Sequence, residues 1–290
     1  MSAAGAVLVE RRRHRCVLAV VCNDLVLDAR VLDGLQLAAW PRSGGRTTMA
    51  GQTGSGAYAF HGLPGMGPIE LPGDDDTTLE PRGFGIEVVD RRGRFVDTVL
   101  AVDVPRDGLV TQLDLFDGPG DGALDGLPVH LFSAPQRALP GHVEVVRASV
   151  ADRHSGVPVP WCRVTVTVDP DGLARRASGV ADARGEVVVV IPAPRRTGAD
   201  RSWPVTVGVH HDEALLAWDQ DPAPTSRLRP GAPLPPALDR VLAQGRAQVW
   251  PSLDGPGLPA LHEALLEGVD LVLRTAGDPH ARLLIEGASA

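Results

Sequence analysis

Apolar and polar residues alternate with a period of two along much of this chain. From Arg163 to Val168, three valines fall on one face, and arginine and threonine fall on the other. Residues 205–209 repeat the pattern, and residues 95–104 place valine and leucine on one side against aspartate on the other. Residues 187–191 form a continuous run of valine and isoleucine, which suits a strand buried on both faces. Because alternating β-branched residues favour half-buried strands, the pattern predicts an all-β fold.

Glycine and proline separate the predicted strands. The chain has 33 Gly and 26 Pro, in short clusters between the apolar runs, as turn-rich β folds require. One cluster, at residues 117–122, has the composition of a flexible connector. The chain's 290 residues exceed the usual domain size of about 100 to 150 residues. We therefore predict two β-sandwich modules, at residues 1–120 and 140–290, joined by a connector at residues 121–139.

The C-terminal third predicts an elaboration packed on the second module. Residues 219–236 are too rich in proline for regular structure and are predicted to form an extended arm over the surface. A closing hairpin is predicted from the apolar runs at residues 269–273 and 283–285. Two short helices are predicted from leucine and valine at helical spacing, at Leu238, Val241 and Leu242 and again at Leu258, Leu261 and Leu265.

Charge excludes several functions. All 28 basic residues are arginine, so lysine-dependent Schiff-base chemistry and lysine-dependent phosphate loops are excluded. The net charge of -8 argues against a nucleic-acid partner, which needs a concentrated basic surface. The run Arg11, Arg12 and Arg13 is read as a solvated hairpin tip or as a local contact with another protein.

Three cysteines are too few for a disulfide framework. Cys16 and Cys22 stand six positions apart in an apolar run, so we expect both thiols to be free, buried and on the same face. No segment has the pattern of a signal peptide, and no apolar run is long enough for a membrane span. We expect the chain to be cytoplasmic.

Two segments resemble the carboxypeptidase-regulatory-like, or transthyretin-like, β-sandwich family. The first runs through residues 152–160, the strand at 163–168 and the turn at 179–187, and is similar to the family's "D-x-x-x-G-x-P-V" and "T/A-D-x-x-G" elements. The second, at residues 54–65, is similar to its "G-x-Y-x-F-x-x-L-P-G" hairpin. The resemblance implies transthyretin-like or Ig-like sandwiches, and modules of this family carry no catalytic residues.

A second resemblance concerns the succession of residues 84–95, 131–137 and 145–147. It is similar to accessory proteins encoded with contractile phage-tail-like injection particles. This resemblance implies a baseplate, sheath or tube accessory, that is, a structural scaffold or adaptor whose partners are other protein subunits.

No cluster of reactive residues matches a known site. His210 and His211 are adjacent in a strand and point to opposite faces, so they are poorly placed to share a metal ion. Asp74–Asp76 matches no cation-binding loop and is read as a solvated loop. Cys162 is read as a packed thiol, and the run Gly51–Gly56 lacks the phosphate-loop and nucleophile-elbow patterns. We predict no catalytic residue, cofactor or metal ligand, and no small-molecule substrate.

Tryptophans are the remaining candidates for function. Large rings at strand ends cover a core or contact a partner, and coverage is the favoured reading for most of them. Trp218 and Trp250, together with Arg11, Arg12 and Arg13, are the predicted partner-binding residues. Two alternatives stay open: a carbohydrate- or cell-surface-binding module, which predicts exposed aromatic residues at one loop end, and a hydrolase, which requires a convergent His, acid and Ser or Cys.

Overall fold

The computed structural model describes residues 16–67, 81–105, 126–141, 143–168, 174–192, 202–216 and 224–287. Strands dominate these ranges, and the all-β prediction is confirmed. The elements of the first half are β1 (Leu18–Asp24), β2 (Ala29–Arg30), β3 (Leu35–Pro41), β4 (Thr48–Met49), β5 (Gly51–Gln52), β6 (Tyr58–Phe60), β7 (Arg82–Asp90), β8 (Thr98–Val104) and β9 (Leu127–Leu131). Those of the second half are β10 (Val143–Asp152), β11 (Arg163–Val168), β12 (Arg175–Val180), β13 (Glu186–Pro192), β14 (Ser202–His210), α1 (Glu213–Leu216), α2 (Leu238–Ala243), β15 (Gln248–Trp250), β16 (Leu261–Leu266), β17 (Leu271–Leu273) and β18 (Leu283–Glu286).

The strands form four sheets that pack as two sandwiches. In the first sandwich, sheet I contains β1, β2, β5, β6 and β9, and sheet II has the order β4-β3-β7-β8. In the second sandwich, sheet III contains β10, β13, β15, β17 and β18, and sheet IV has the order β12-β11-β14-β16. Most neighbours are antiparallel, but β9 runs parallel to β1. The segment 121–139, predicted as a connector, therefore contains a strand of the first sandwich.

Each sandwich has its own apolar core. The first core joins side chains of both facing sheets, including Leu18, Phe60 and Phe84, and the second is built largely of valine from β10, β11, β13 and β14. Val164, Val166 and Val168 all lie in the second core, as the alternation along β11 predicts. Burying one such side chain contributes roughly 1.5 to 3 kcal/mol, so valine and leucine replace the scarce aromatic residues as the source of stability.

Turn residues define the motifs on which the family resemblance rests. The Asp152 carboxylate accepts hydrogen bonds from the backbone N–H groups of His154 (3.1 Å) and Ser155 (2.8 Å), and Gly156 follows at φ 66°. Asp182 closes the later turn in the same way, and Gly185 at φ 78° ends it. A Cβ at Gly185 would lie 2.6 Å from the carbonyl oxygen of Val150, so only glycine fits there. The turn connects β12 in sheet IV to β13 in sheet III, and so links the two facing sheets.

Several local predictions are wrong. The predicted helix at Leu238–Leu242 is present as α2, but the one predicted across 258–265 is the strand β16, which pairs with β14. The predicted closing hairpin is absent, because β17 and β18 do not pair with each other in the described residues. Both run parallel to β10, at residues 146–148 and 150–152 of that strand.

Cys16 and Cys22 do not share a face. Cys22 lies in the first core, whereas Cys16 precedes β1 and packs against Ala19 and Val21 on the opposite side of the sheet. No disulfide joins the cysteines in the described structure, and Cys16 is only partly buried, although the prediction placed it in a core. The glycine-rich run at 117–122 lies outside the described residues.

Candidate protein-protein interface

A long excursion of the chain crosses from the second sandwich to the first. It leaves at His211, whose N–H donates to the carbonyl of Gly245 (3.0 Å), and it returns through Ala247, whose N–H donates to Val209 (2.9 Å). Its described middle part, residues 224–237, is called the arm below. The prediction placed this Pro-rich segment on the second module, but the described arm lies on sheet II of the first sandwich, where Ala237 forms a parallel bridge with Val99.

The arm covers a glutamate on the outer face of sheet II. Glu87 lies between the core residues Ile86 and Val88, so its side chain points away from the first core. It is nevertheless 0% exposed, because the Ser226 hydroxyl and the Arg227 N–H (2.7 Å) both donate to its carboxylate. These charge-assisted hydrogen bonds compensate for the burial of the carboxylate.

Arginines of the arm complete this contact. The Arg229 guanidinium pairs with Asp97 (2.7 Å) and donates to the carbonyl of Asp90 (3.2 Å). Burial raises the pKa of Asp97 although Arg229 lowers it, which indicates that the pair is partly removed from water. The Arg227 guanidinium lies 5.5 Å from the centre of the Trp40 ring. Basic arm residues thus meet acidic and aromatic residues of sheet II.

The sandwiches also touch directly. Phe132 of the first half packs with Val180 and Val241 of the second, and these residues line a small apolar cleft that Trp161 and Leu238 help to close. On another side, Val26 from the β1–β2 turn packs against a cluster of valines that includes Val145, Val188 and Val190. The arm and these apolar contacts connect the two sandwiches.

A buried ion pair fixes the segment between the sandwiches. Arg137 pairs through both Nη atoms with the carboxylate of Asp24, one contact being 3.0 Å, and both side chains are 6% exposed. The same guanidinium donates to the Ser133 hydroxyl (2.9 Å) and lies over the Phe95 ring. The Asp24 carboxylate also caps the β1–β2 turn through the N–H of Val26 (2.8 Å).

The outer face of sheet IV carries a group of arginines around a buried histidine. Strand pairing sets Arg163 of β11 opposite His210 of β14, and a β-bridge sets Arg246 beside His210. Arg176 of β12 lies opposite Thr167 on the same outer face, two positions along β11 from Thr165. Arg163, Arg176, Arg246 and His210 are called the cationic face below.

Both ring nitrogens of His210 have polar neighbours. Arg163 Nη2 is 3.4 Å from Nδ1, and because arginine can only donate, this contact favours the tautomer with its proton on Nε2. Nε2 lies 3.3 Å from Thr165 Oγ1, and the Thr165 hydroxyl donates to the carbonyl of Gly208 (3.3 Å). A second proton on His210 would face the Arg163 guanidinium. Burial, followed by the charges of Arg163 and Arg246, lowers the pKa of His210 to about 4.

The arginines of the cationic face have no acidic partner among the described residues, where none of the three forms an ion pair. Burial and the neighbouring Arg176 lower the pKa of Arg163, and its buried Nε has no hydrogen-bond partner in the described structure. The Arg246 guanidinium lies over Gly208, where an added Cβ would be 3.8 Å from its Nε and Nη2. The covered face of sheet II and the cationic face therefore differ in how their charges are compensated.

The side chains that a catalytic or metal site would need are either buried or not brought together in the described structure. Burial raises the pKa of Cys162 and of Cys22 to about 12, so neither thiol is a nucleophile at neutral pH. His210 is bonded on the outer face of sheet IV, and no group of three metal-ligating side chains occurs among the residues that the structure describes. Asp74–Asp76 lies outside the described residues.

The predicted partner-binding residues fall in different places. Arg11, Arg12, Arg13 and Trp218 lie outside the described residues. Trp250 is 4% exposed, packs with Ala151 and Leu284, and is covered by the Arg153 guanidinium 4.3 Å above its ring. Partner contact through Trp250 stays a prediction, and it would require Arg153 to move. Sequence reasoning missed Glu87, Arg229 and the cationic face.

No described helix combines the length and apolar character needed to cross a membrane. No protein-family model matches the chain, and no curated protein matches it in sequence.

Comparison with solved structures gives weak likenesses to bacterial proteins, two of which are pilins. The Bacillus anthracis TIE protein is 13% identical with a TM-score of 0.22, over 67% of this chain and 28% of that one. The major pilin subunit BcpA of Bacillus cereus is 8% identical with a TM-score of 0.25, over 67% of this chain and 63% of that one. The shaft pilin SpaA of Lactobacillus rhamnosus GG is 8% identical with a TM-score of 0.22, over 94% and 99%. The chain thus spans under a third of the TIE protein, and TM-scores this low do not indicate a shared function.

Proposed function

We propose that this chain is a non-enzymatic scaffold or adaptor subunit that assembles with other protein subunits. The proposal rests on a contrast between two sets of polar and reactive side chains. One set is bound within the chain, and the other is charged and has no partner of opposite charge in the described structure. Glu87, Arg137 and Cys162 are buried and bonded or packed within the chain, while the cationic face presents arginines with no acidic partner in the described structure. Sandwiches that present uncompensated positive charge on one face are better suited to binding another protein than to catalysis.

The packing of the aromatic residues disfavours a carbohydrate-binding module. Such a module needs exposed rings at one loop end. In the described ranges, Trp161 and Trp203 pack against apolar clusters, and Trp40 is half-buried beside Arg227. The exposed large apolar side chains there are leucine, valine and methionine.

The finer proposal follows the sequence resemblances. The sandwiches are proposed to be transthyretin-like modules of the carboxypeptidase-regulatory-like family, and the assembly is proposed to be a contractile phage-tail-like injection particle built in the cytoplasm. The buried thiols of Cys22 and Cys162, which form no disulfide in the described structure, support a reducing compartment.

Affinity purification of the tagged chain from its native cells tests the proposal. We expect recovery of sheath-like or tube-like subunits in fixed proportion to the chain, with an untagged strain as the control. Recovery of the chain alone, as a monomer by light scattering, would overturn the proposal. Recovery with subunits of another assembly would keep the scaffold function and overturn the injection-particle assignment.

A further inference from the structure

The cationic face concentrates positive charge on an acidic protein. Three guanidinium groups and one imidazole come together on sheet IV of a chain whose net charge is -8. Arg176 and Arg246 are exposed, so they are accessible to a ligand, whereas Arg163 is partly buried with its Nη2 on His210. Like charges held close together repel one another, and an anion at this position would remove the repulsion.

The arm shows how this protein covers a charged sheet face. On sheet II, an extended Pro-rich segment places Ser226, Arg227 and Arg229 against Glu87 and Asp97. The backbone and side chains of an extended segment bond to outward-pointing residues of strands at β-spacing. Sheet IV presents the opposite charge on the same kind of surface. Phe132 and Val241 cover its outer face at Val180, while Arg176 and Arg246 remain exposed and no described carboxylate pairs with them.

We propose that the cationic face docks an acidic, extended segment of a partner protein, whose carboxylates pair with Arg163, Arg176 and Arg246. The inference rests on the proposed scaffold function and specifies its chemistry. Arginine suits this task because its planar fork binds a carboxylate through two parallel hydrogen bonds. Thr167 lies on the same outer face, opposite Arg176, and offers its hydroxyl group to the backbone of the segment.

Residue geometry argues for a protein segment over nucleic acid. The positive charges lie on β11, β12 and the bridge residue Arg246, and the whole chain is acidic, whereas nucleic-acid affinity needs a series of phosphate contacts. A carboxylate-bearing segment needs only two or three pairs to gain specificity.

Fluorescence anisotropy with the full chain and a labelled oligoglutamate peptide tests the inference at low salt. We expect saturable binding of oligoglutamate and no binding of a matched oligoglutamine peptide. The double variant Arg176→Gln/Arg246→Gln removes two exposed guanidinium groups, and we expect it to weaken binding by about tenfold or more. Arg163→Gln is measured separately, because its partly buried side chain also bonds His210.

Arg175→Gln is the matched control. Arg175 is adjacent to Arg176 and carries the same charge, but it lies opposite Val168 and so points to the other side of sheet IV. We expect this variant to bind oligoglutamate like the unaltered chain. Arg175→Gln removes one positive charge and the double variant removes two. A loss of binding free energy for Arg175→Gln of half or more of that for the double variant would overturn the site, because net charge alone would then account for binding.

Competitors distinguish the ligand classes. Binding of inorganic phosphate or of a single-stranded oligonucleotide at the cationic face, with no binding of oligoglutamate, would overturn the acidic-segment proposal. Absence of any anion binding would overturn it as well. If oligoglutamate fails while the chain still co-purifies with other subunits, the scaffold function stands and this inference alone falls.

Discussion

The outer faces of sheet II and sheet IV have similar architecture, but their charged residues are compensated differently. Both belong to four-stranded sheets of a sandwich, and both place charged residues where the sequence alternation points them to solvent. On sheet II the arm covers the Glu87 carboxylate, which accepts from the Ser226 hydroxyl and the Arg227 N–H, and the Arg229 guanidinium pairs with Asp97. On sheet IV, Arg163, Arg176 and Arg246 have no matching carboxylate among the described residues. The chain therefore neutralises one charged face itself and leaves the other for a partner.

The largest expected effect is on the covered face. Glu87→Ala removes the acceptor of the Ser226 hydroxyl and of the Arg227 N–H, both of which stay buried under the arm. We expect a loss of about 3 kcal/mol in the free energy of unfolding, since each charged hydrogen bond contributes about 1.5 to 3 kcal/mol. Urea unfolding measures it.

Glu263→Ala is the control for Glu87, since Glu263 is an exposed strand residue of β16. We expect a change within about 0.5 kcal/mol there. Similar losses for the two variants would show that the arm does not depend on Glu87.

The second effect is pH-dependent and belongs to the uncovered face. The pKa of His210 in the folded chain is about 4, below its ordinary value of 6.5. Between these values the unfolded chain binds more protons at His210 than the folded chain does. The contribution of His210 to the free energy of unfolding is therefore constant above pH 7 and falls as the pH drops toward 4, by up to about 3 kcal/mol.

His210→Gln isolates this contribution. The free energy of unfolding of this variant should fall by less between pH 7 and pH 4.5 than that of the unaltered chain. Urea unfolding of both proteins measures the difference. Parallel pH profiles for the two proteins would contradict a neutral, charge-surrounded His210.

A pair of smaller effects compares the faces through the same substitution. Arg229→Gln breaks a partly exposed pair with Asp97 and is expected to destabilise by about 1 kcal/mol or less. Arg246→Gln relieves repulsion at the cationic face and is expected to be neutral or to stabilise by a few tenths of a kcal/mol. Thermal unfolding at low and high salt measures both, and salt should reduce the difference between them. If Arg229→Gln and Arg246→Gln destabilised the chain equally, the claimed difference in charge compensation between the two faces would be contradicted.

The fold was predictable where local pattern and packing agree. The strand at Arg163–Val168 has the predicted bounds, because valine alternation leaves no helical alternative. The error at residues 258–265 has a local cause. Leu261 and Leu265 fit a helical spacing, but they also lie two strand periods apart, and pairing with β14 favours the strand. The parallel pairing of β17 and β18 with β10 depends on distant residues that no local pattern specifies.

The candidate interface could not be predicted from sequence for the same reason. Glu87 looks like an ordinary outward-facing strand residue, and only an arm about 140 positions later in the chain buries it. Arg163, Arg176 and Arg246 are unexceptional one by one, and strand pairing alone brings them to one face. Charge complementarity between distant segments is a property of the folded chain.

The imidazole of His210 reports on the cationic face directly. Proton NMR titration, with His210 assigned by the His210→Gln variant, should give a pKa near 4 in the free chain and a higher pKa when oligoglutamate is bound. A free-chain pKa near 6.5 that does not change with the peptide would contradict the claim that this face holds uncompensated positive charge for an acidic partner.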